Sequence, residues 1–227
     1  MNAIICDPET RSGSRAITGN RAIVLRDIAR DDVDIAVWKR KLDAELASEI
    51  DRIDMASFGA TYSTIVTSRT SALSILKALR NRFDAPLLAW DMANLVKRYL
   101  KLFELDRARL KLTGLDRTMC PKFHVDRVPC RLVTTYRGKA TEWLPHNCVD
   151  RGKLGKGAHG KPDYQSGVYR DCGDIHRLDR GDVGLLKGKL WRDDEATGQV
   201  HRSPVVLPGE ERLLMSLDYV EGDYPRD

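Results

Sequence analysis

The sequence predicts an α+β fold in which an N-terminal helical layer covers one face of a barrel or jelly-roll of short strands. Up to Phe103, apolar residues recur every three or four positions, which is helical spacing. After Asp106 they alternate with polar residues, which is strand spacing. Turn residues then separate several short segments, as is typical of barrels and sandwiches.

Three helices are predicted in the first half of the chain. The first spans residues 31–55, where Asp31 and Asp32 supply the carboxylates that a helix N-terminus favours. Ser71 is predicted to cap a short second helix. A third helix opens at Asp84, with Pro86 in its first turn, where a missing N–H costs nothing. The apolar stripe of the first helix is Ile35, Trp38, Leu42, Leu46, Ile50 and Ile53.

The second half is predicted to contain seven strands. We expect two regions, a helical part over residues 1–105 and a metal-binding β core over residues 106–227, packed as one compact unit. The candidate strands cover residues 108–113, 122–125, 131–136, 141–144, 183–186, 200–206 and 212–220.

The charge is concentrated in one place. Lys and Arg number 38 against 33 Asp and Glu, a formal net charge of +5. Residues 151–192 hold ten basic and five acidic residues, so this Gly-rich stretch carries the whole excess. Such a stretch suits an anionic substrate or a phosphate backbone, or is simply a solvated loop. Nucleic-acid binding through this stretch is therefore a weak hypothesis, behind the two metal-binding hypotheses given below.

The cysteine pattern and hydropathy exclude two protein classes. Five cysteines without a CxxC pair argue against a disulfide scaffold and favour reduced thiols in the cytoplasm. The first twenty residues lack a sustained apolar stretch, so we expect no secretory signal. No apolar run approaches the ~20 residues that a bilayer crossing needs. The cysteines are Cys6, Cys120, Cys130, Cys148 and Cys172.

The candidate chemistry centres on the run CPKFHVD. On an extended strand, His124 and Asp126 point to the same face and can bind one ion. With His201 they would form the facial triad of non-haem Fe(II) enzymes, which leaves coordination positions open. Cys120 and Cys130 bracket the same strand, so a mixed Cys/His/Asp zinc site is an alternative.

A candidate residue for binding a co-substrate follows His201 in the sequence. Arg212 lies eleven positions after His201, at the start of a predicted strand. Its guanidinium could form a two-pronged pair with the far carboxylate of a dicarboxylate co-substrate. The alternative is a salt bridge to Glu210 or Glu211.

In order and spacing, these residues and the Gly181-Asp182 turn resemble the Fe(II)/2-oxoglutarate-dependent dioxygenase superfamily over residues 107–220. The resemblance implies a double-stranded β-helix, a cupin-like jelly-roll. It also implies that 2-oxoglutarate chelates the metal, that Arg212 binds its far carboxylate, and that Tyr136 adds a hydroxyl there. Ser216 departs from the Arg-x-Ser pattern of one branch. Leu217 stands where the nucleic-acid demethylases carry a second Arg.

The runs CPKFHVD, RLVTTYRGKATEWLP and VHRSP are similar to an uncharacterised bacterial family, domain-of-unknown-function family 1826. That likeness extends over most of the chain. Members of the family tend to accompany zinc-homeostasis genes. The resemblances therefore imply an Fe(II)/2-oxoglutarate oxygenase, with a non-oxidative metal-binding barrel linked to zinc homeostasis as the alternative. We expect Fe(II), or else Zn(II), and an unknown small-molecule or protein substrate, for which the basic stretch mildly favours an anion.

Overall fold

The structure is a computed structural model that describes residues 15–58, 61–80, 82–192 and 198–222. Cys6 lies outside these residues. The strands are β1 (Arg15–Gly19), β2 (Val33–Trp38), β3 (Tyr62–Thr67), β4 (Arg107–Leu115), β5 (Cys130–Arg137), β6 (Glu142–Trp143), β7 (His176–Arg177), β8 (Val183–Lys187), β9 (His201–Arg202) and β10 (Arg212–Asp218). The α-helices are α1 (Ala44–Asp51), α2 (Met55–Phe58), α3 (Ala72–Leu79), α4 (Pro86–Leu102) and α5 (Asp163–Ser166).

The strands form two sheets. The larger one has seven strands in the order β1-β2-β8-β5-β10-β4-β3, and the smaller one has three in the order β7-β6-β9. Neighbouring strands are antiparallel except for the parallel pair β1–β2. Val133 and Leu186 of the large sheet pack with Trp143 of the small sheet in one apolar cluster. The molecule is therefore a two-sheet jelly-roll with an α+β architecture, as the sequence predicts.

The helices cover the outer face of the large sheet. Buried residues of α1, α3 and α4 share one core with the alternate residues of β10, Leu213, Met215 and Leu217. Arg212 and Ser216 have the opposite parity on the same strand, so their side chains face the space between the sheets. Strand alternation thus places an apolar face against the helices and a polar face toward an interior pocket.

Helix starts at α3 and α4 agree with the sequence. The Ser71 hydroxyl accepts from the Ser74 N–H at 3.2 Å, and the Ser74 hydroxyl accepts in return from the Ser71 N–H. This reciprocal pair satisfies two backbone donors that the first turn leaves unbonded. Pro86 opens α4, where no helical hydrogen bond needs its nitrogen.

The helix predicted over residues 31–55 is wrong in its first half. Residues 33–38 form strand β2, and only Ala44–Asp51 is helical, capped by Asp43. Val33 and Ala36 pack in the helix-side core, whereas Ile35 and Val37 pack between the sheets. Because β2 is buried on both faces, its sequence lacks the alternation that marks a half-exposed strand.

Strands from both halves of the chain build the large sheet. β1, β2 and β3 precede residue 105 and pair in the same sheet as β4, β5, β8 and β10. The division into residues 1–105 and 106–227 stays a prediction. Within the part of the chain described, no helix combines the length and the apolar character needed to cross a membrane.

Candidate metal centre

Backbone pairing brings the two histidines of the candidate site side by side. The His124 N–H donates to the His201 carbonyl at 3.0 Å, and the His201 N–H donates back at 2.9 Å. This antiparallel bridge adds the His124 segment beside β9, although residues 122–125 form no longer strand. The two imidazole rings consequently lie 4.7 Å apart between their centroids.

Asp126 completes the cluster, as its spacing from His124 predicts. Its Oδ1 lies 3.6 Å from His124 Nε2, and its Oδ2 lies 3.2 Å from His201 Nε2. One ligand atom from each of the three residues lies within 4.8 Å of the others. Two imidazole nitrogens and one carboxylate oxygen at such distances can surround a divalent cation.

Both imidazoles have their second nitrogen fixed by the backbone. His124 Nδ1 lies 2.9 Å from the Lys122 carbonyl, and His201 Nδ1 lies 3.0 Å from the Gln199 carbonyl. A carbonyl only accepts, so each Nδ1 carries a hydrogen. In the neutral imidazole, each Nε2 therefore directs a lone pair toward Asp126. This is the arrangement that metal-binding histidines use to fix their ring orientation.

An arginine holds the other side of the carboxylate. Arg131 Nη1 donates to Asp126 Oδ2 at 2.6 Å, and its Nε and Nη2 bind the carboxylate of Asp218 at 2.6 and 3.0 Å. Burial raises the pKa of Asp126, but the neighbouring His201 and His124 and the charge of Arg131 outweigh it. The pKa of Asp126 therefore lies well below its usual range, and the carboxylate is ionised.

Arg212 lies in the same pocket as a buried cation with neutral partners. Its side chain donates to the hydroxyls of Ser203, Thr135 and Thr141 at 3.2, 3.4 and 3.0 Å. Its Nε makes no hydrogen bond, and no ion pair joins it to a carboxylate among the described residues. Burial lowers the pKa of Arg212 to about 10. A buried charge with no carboxylate in hydrogen-bond range is costly, which favours binding of an anion beside it.

The predicted role of Tyr136 requires correction. Tyr136 is on β5, but its hydroxyl donates to Asp91 of α4 at 2.6 Å, within the helix-side core. The alternation along β5 points Arg131 and Val133 into the pocket and Tyr136 away from it. Tyr136 therefore cannot contact a co-substrate beside Arg212. Thr135, its neighbour, instead accepts a hydrogen bond from Arg212 at 3.4 Å.

The cysteines do not join the candidate ligands. Cys130 is fully buried in the helix-side core, on the face opposite the pocket. Cys120 lines the pocket but is not among the three residues whose ligand atoms converge. The mixed Cys/His/Asp zinc site is thus wrong for Cys130. Ser216 lines the same pocket, on the strand that carries Arg212.

Two neighbouring cavities lie at the candidate centre. A pocket of about 300 Å³ contains the cluster, Arg131 and Arg212. A cavity of about 850 Å³ adjoins it and shares Thr61, Thr113 and Met119 with it. The described residues that line the two cavities include none from the basic stretch 151–192. Residues 113–119 line the larger cavity instead, which the sequence analysis did not anticipate.

The sequence did not identify Arg131 and Asp218 as residues of the candidate centre. Neither residue belongs to a short motif, and they are 87 positions apart. The only available signal was the position of Arg131 on the predicted strand 131–136, five residues after Asp126. Their pairing depends on the β5–β10 register, which places Leu132 opposite Leu217.

Among solved structures, the chain is similar to two dioxygenases and a hydroxylase. The dioxygenase for auxin oxidation from rice superposes with a TM-score of 0.48 at 12% identity, covering 93% of this chain and 89% of the other. The Arabidopsis thaliana enzyme, solved with 2-oxoglutarate, gives 0.47 at 8%, covering 93% and 99%. A Pseudomonas putida prolyl-4-hydroxylase gives 0.42 at 13%, covering 87% and 92%.

No curated protein matches the sequence. One protein family does match, over residues 19–218, which is most of the chain and includes every residue of the candidate centre. The chain therefore belongs to the family described as "Protein of unknown function (DUF1826)".

Proposed function

We propose that this protein is a non-haem Fe(II)/2-oxoglutarate-dependent dioxygenase that oxidises a C–H bond of a substrate still to be identified. One observation carries the proposal. A His-Asp-His cluster and a buried guanidinium without a carboxylate partner line the same small pocket. The cluster offers donors for a divalent cation, and the guanidinium offers a site for a carboxylate.

The residues present fit both groups. His124, Asp126 and His201 would hold Fe(II) through two nitrogens and one oxygen, the donor set of the facial triad. Arg212 would bind the far carboxylate of 2-oxoglutarate. Its unbonded Nε and its weak hydroxyl partners leave hydrogen-bonding capacity for an anion.

When bound, Fe(II) would allow O₂ to act as the oxidant: one oxygen atom would enter the substrate and the other would enter succinate, as 2-oxoglutarate is oxidised and loses carbon dioxide. The protein's residues orient these groups. The Lys122 and Gln199 carbonyls fix the two imidazole rings. The hydroxyls of Ser203, Thr135 and Thr141 hold the Arg212 guanidinium in place. The adjoining cavity of about 850 Å³ is the space we assign to the substrate.

The test is co-substrate binding under anaerobic conditions. The Fe(II)-loaded protein is expected to develop a weak visible charge-transfer band when 2-oxoglutarate is added. Arg212→Ala should weaken 2-oxoglutarate binding by at least about tenfold while metal affinity is retained, because the lost contact is a charge-assisted pair. Arg212→Lys keeps the charge but loses the planar fork, so an intermediate affinity is expected.

The same three ligands also allow a second function, non-oxidative binding of Zn(II). Two imidazoles and a carboxylate also suit Zn(II). A protein that binds Zn(II) tightly and ignores 2-oxoglutarate, in the wild type and in Arg212→Ala alike, would be a non-oxidative metal-binding barrel. That result would favour a role in zinc homeostasis.

We further propose that the protein works in the cytoplasm and that its substrate is an anion. Cys120, Cys130 and Cys172 form no disulfide bond, which supports a reducing compartment. The formal net charge of +5 supports the anionic substrate, whereas the basic stretch 151–192 lines neither of the two cavities among the described residues. Redox-sensitive labelling of the thiols in cells would test the first point.

A further inference from the structure

Arg131 links the candidate metal ligand Asp126 to a rigid part of the large sheet. Its Nε and Nη2 form a two-pronged pair with Asp218, and Nη1 remains for Asp126 Oδ2. Arg131 and Asp218 belong to adjacent, hydrogen-bonded strands, whereas Asp126 lies outside any strand. The ordered sheet therefore determines where the guanidinium lies, and the guanidinium determines where the Asp126 carboxylate lies.

We propose that Arg131 is a positioning residue, which holds one oxygen of Asp126 and leaves Oδ1 for the cation. This inference rests on the proposed metal site. Without Arg131, the Asp126 side chain would be free to rotate and to pair with the two histidines instead. Groups that orient a metal ligand through hydrogen bonds are typically worth about 10–100-fold in metal affinity.

The charge of Arg131 makes this proposal sharply testable. A positive charge beside a cation site repels the cation, so removing it should by Coulomb's law alone tighten metal binding. A positioning role has the opposite consequence. Loss of the guanidinium then weakens metal binding, because Asp126 is no longer held in the binding orientation.

The experiment measures the affinity of the purified protein for Co(II) and Mn(II) alone, by calorimetry and, for Co(II), by the visible spectrum. Arg131→Met removes the charge. Arg131→Lys retains the charge, but one nitrogen cannot hold both Asp126 and Asp218. We expect both variants to bind Co(II) about 10–100-fold more weakly than the wild type, with an altered Co(II) spectrum.

Arg40 offers a matched control on the opposite face of the sheet. It forms a two-pronged pair with buried Asp91 at 2.6 and 2.8 Å and does not line the metal pocket. Arg40→Met and Arg40→Lys should lose stability, yet Co(II) affinity should stay within about twofold of the wild type. Unchanged or tighter Co(II) binding by Arg131→Met would overturn the positioning role.

The outcomes also separate this inference from the proposed function. A wild-type protein that binds neither Co(II) nor Mn(II) would sink both. A protein that binds metal but not 2-oxoglutarate would sink the oxygenase and leave the role of Arg131 standing. A protein that binds both, with Arg131 variants like the wild type, would sink only the positioning role.

Discussion

At the scale of single residues, the proposed anion-binding role of Arg212 lowers the stability of the free protein. It is almost completely buried and its described partners are three hydroxyls. Most buried arginines in globular proteins pair with a carboxylate, as Arg40 does with Asp91. A charge left unpaired in a pocket destabilises the free protein, and a bound anion would offset that cost.

We therefore predict that Arg212→Met does not destabilise the protein. Its free energy of unfolding should equal that of the wild type or exceed it by up to ~3 kcal/mol, since a buried charge is replaced by an apolar side chain of similar size. Arg40→Met, which leaves Asp91 without its arginine partner, should instead cost roughly 3–5 kcal/mol. Urea denaturation of the two variants measures both values. Equal losses in the two would mean that Arg212 is an ordinary structural residue.

At the scale of elements, the loop that carries Asp126 is held by the segment after β8. The Lys189 N–H donates to the Asp126 carbonyl at 2.9 Å, and the Gly188 N–H donates to the Pro129 carbonyl at 2.8 Å. This close approach requires a glycine. A Cβ at position 188 would lie 2.0 Å from the Val128 carbonyl oxygen and 2.7 Å from that of Asp126.

Gly188→Ala should therefore displace the Asp126 loop. We expect a loss of stability of about 1–3 kcal/mol from overpacking, together with weaker Co(II) binding. Gly173→Ala is the control, because a Cβ there meets only the Asp171 side chain, at 3.3 Å. Thermal denaturation and Co(II) titration report the two effects. Normal metal affinity in folded Gly188→Ala would show that the loop is not held by this contact.

Local patterns predicted the elements unevenly, for a physical reason. The caps at Ser71 and Pro86 act within one helical turn, so a few residues suffice to predict them. β2 is buried on both faces, so apolar and polar residues do not alternate along it. Ile35 and Trp38 are three positions apart, which matches helical spacing by chance. Only its pairing with β1 and β8 identifies it as a strand.

At the scale of the whole molecule, the candidate centre joins the two sheets. His201 belongs to the small sheet, while Arg131 and Arg212 belong to the large one. Because these residues meet only when the sheets are packed, a bound cation would stabilise the folded state and not the unfolded chain.

Divalent metal should therefore raise the melting temperature. At a free metal concentration of about 100 times Kd, the stabilisation is about 2.7 kcal/mol. For a chain of this size, that corresponds to a rise of roughly 5–10 °C. Differential scanning fluorimetry with Co(II), and reversal by EDTA, measures it. Asp126→Ala should lose the rise, and a wild-type melting temperature that metal leaves unmoved would count against the site.

The sequence by itself determined the layout of the site along the chain. The two-residue spacing of His124 and Asp126 predicts a shared face, since strand periodicity is a local property. The order of His201 and Arg212 is likewise visible in the sequence. The sequence did not determine which face of the sheet Tyr136 lies on, because a shift of one residue in strand register reverses the face of every side chain. The Arg131–Asp218 pair was decided by the tertiary structure alone, since strand register brings together charges that no short-range pattern connects.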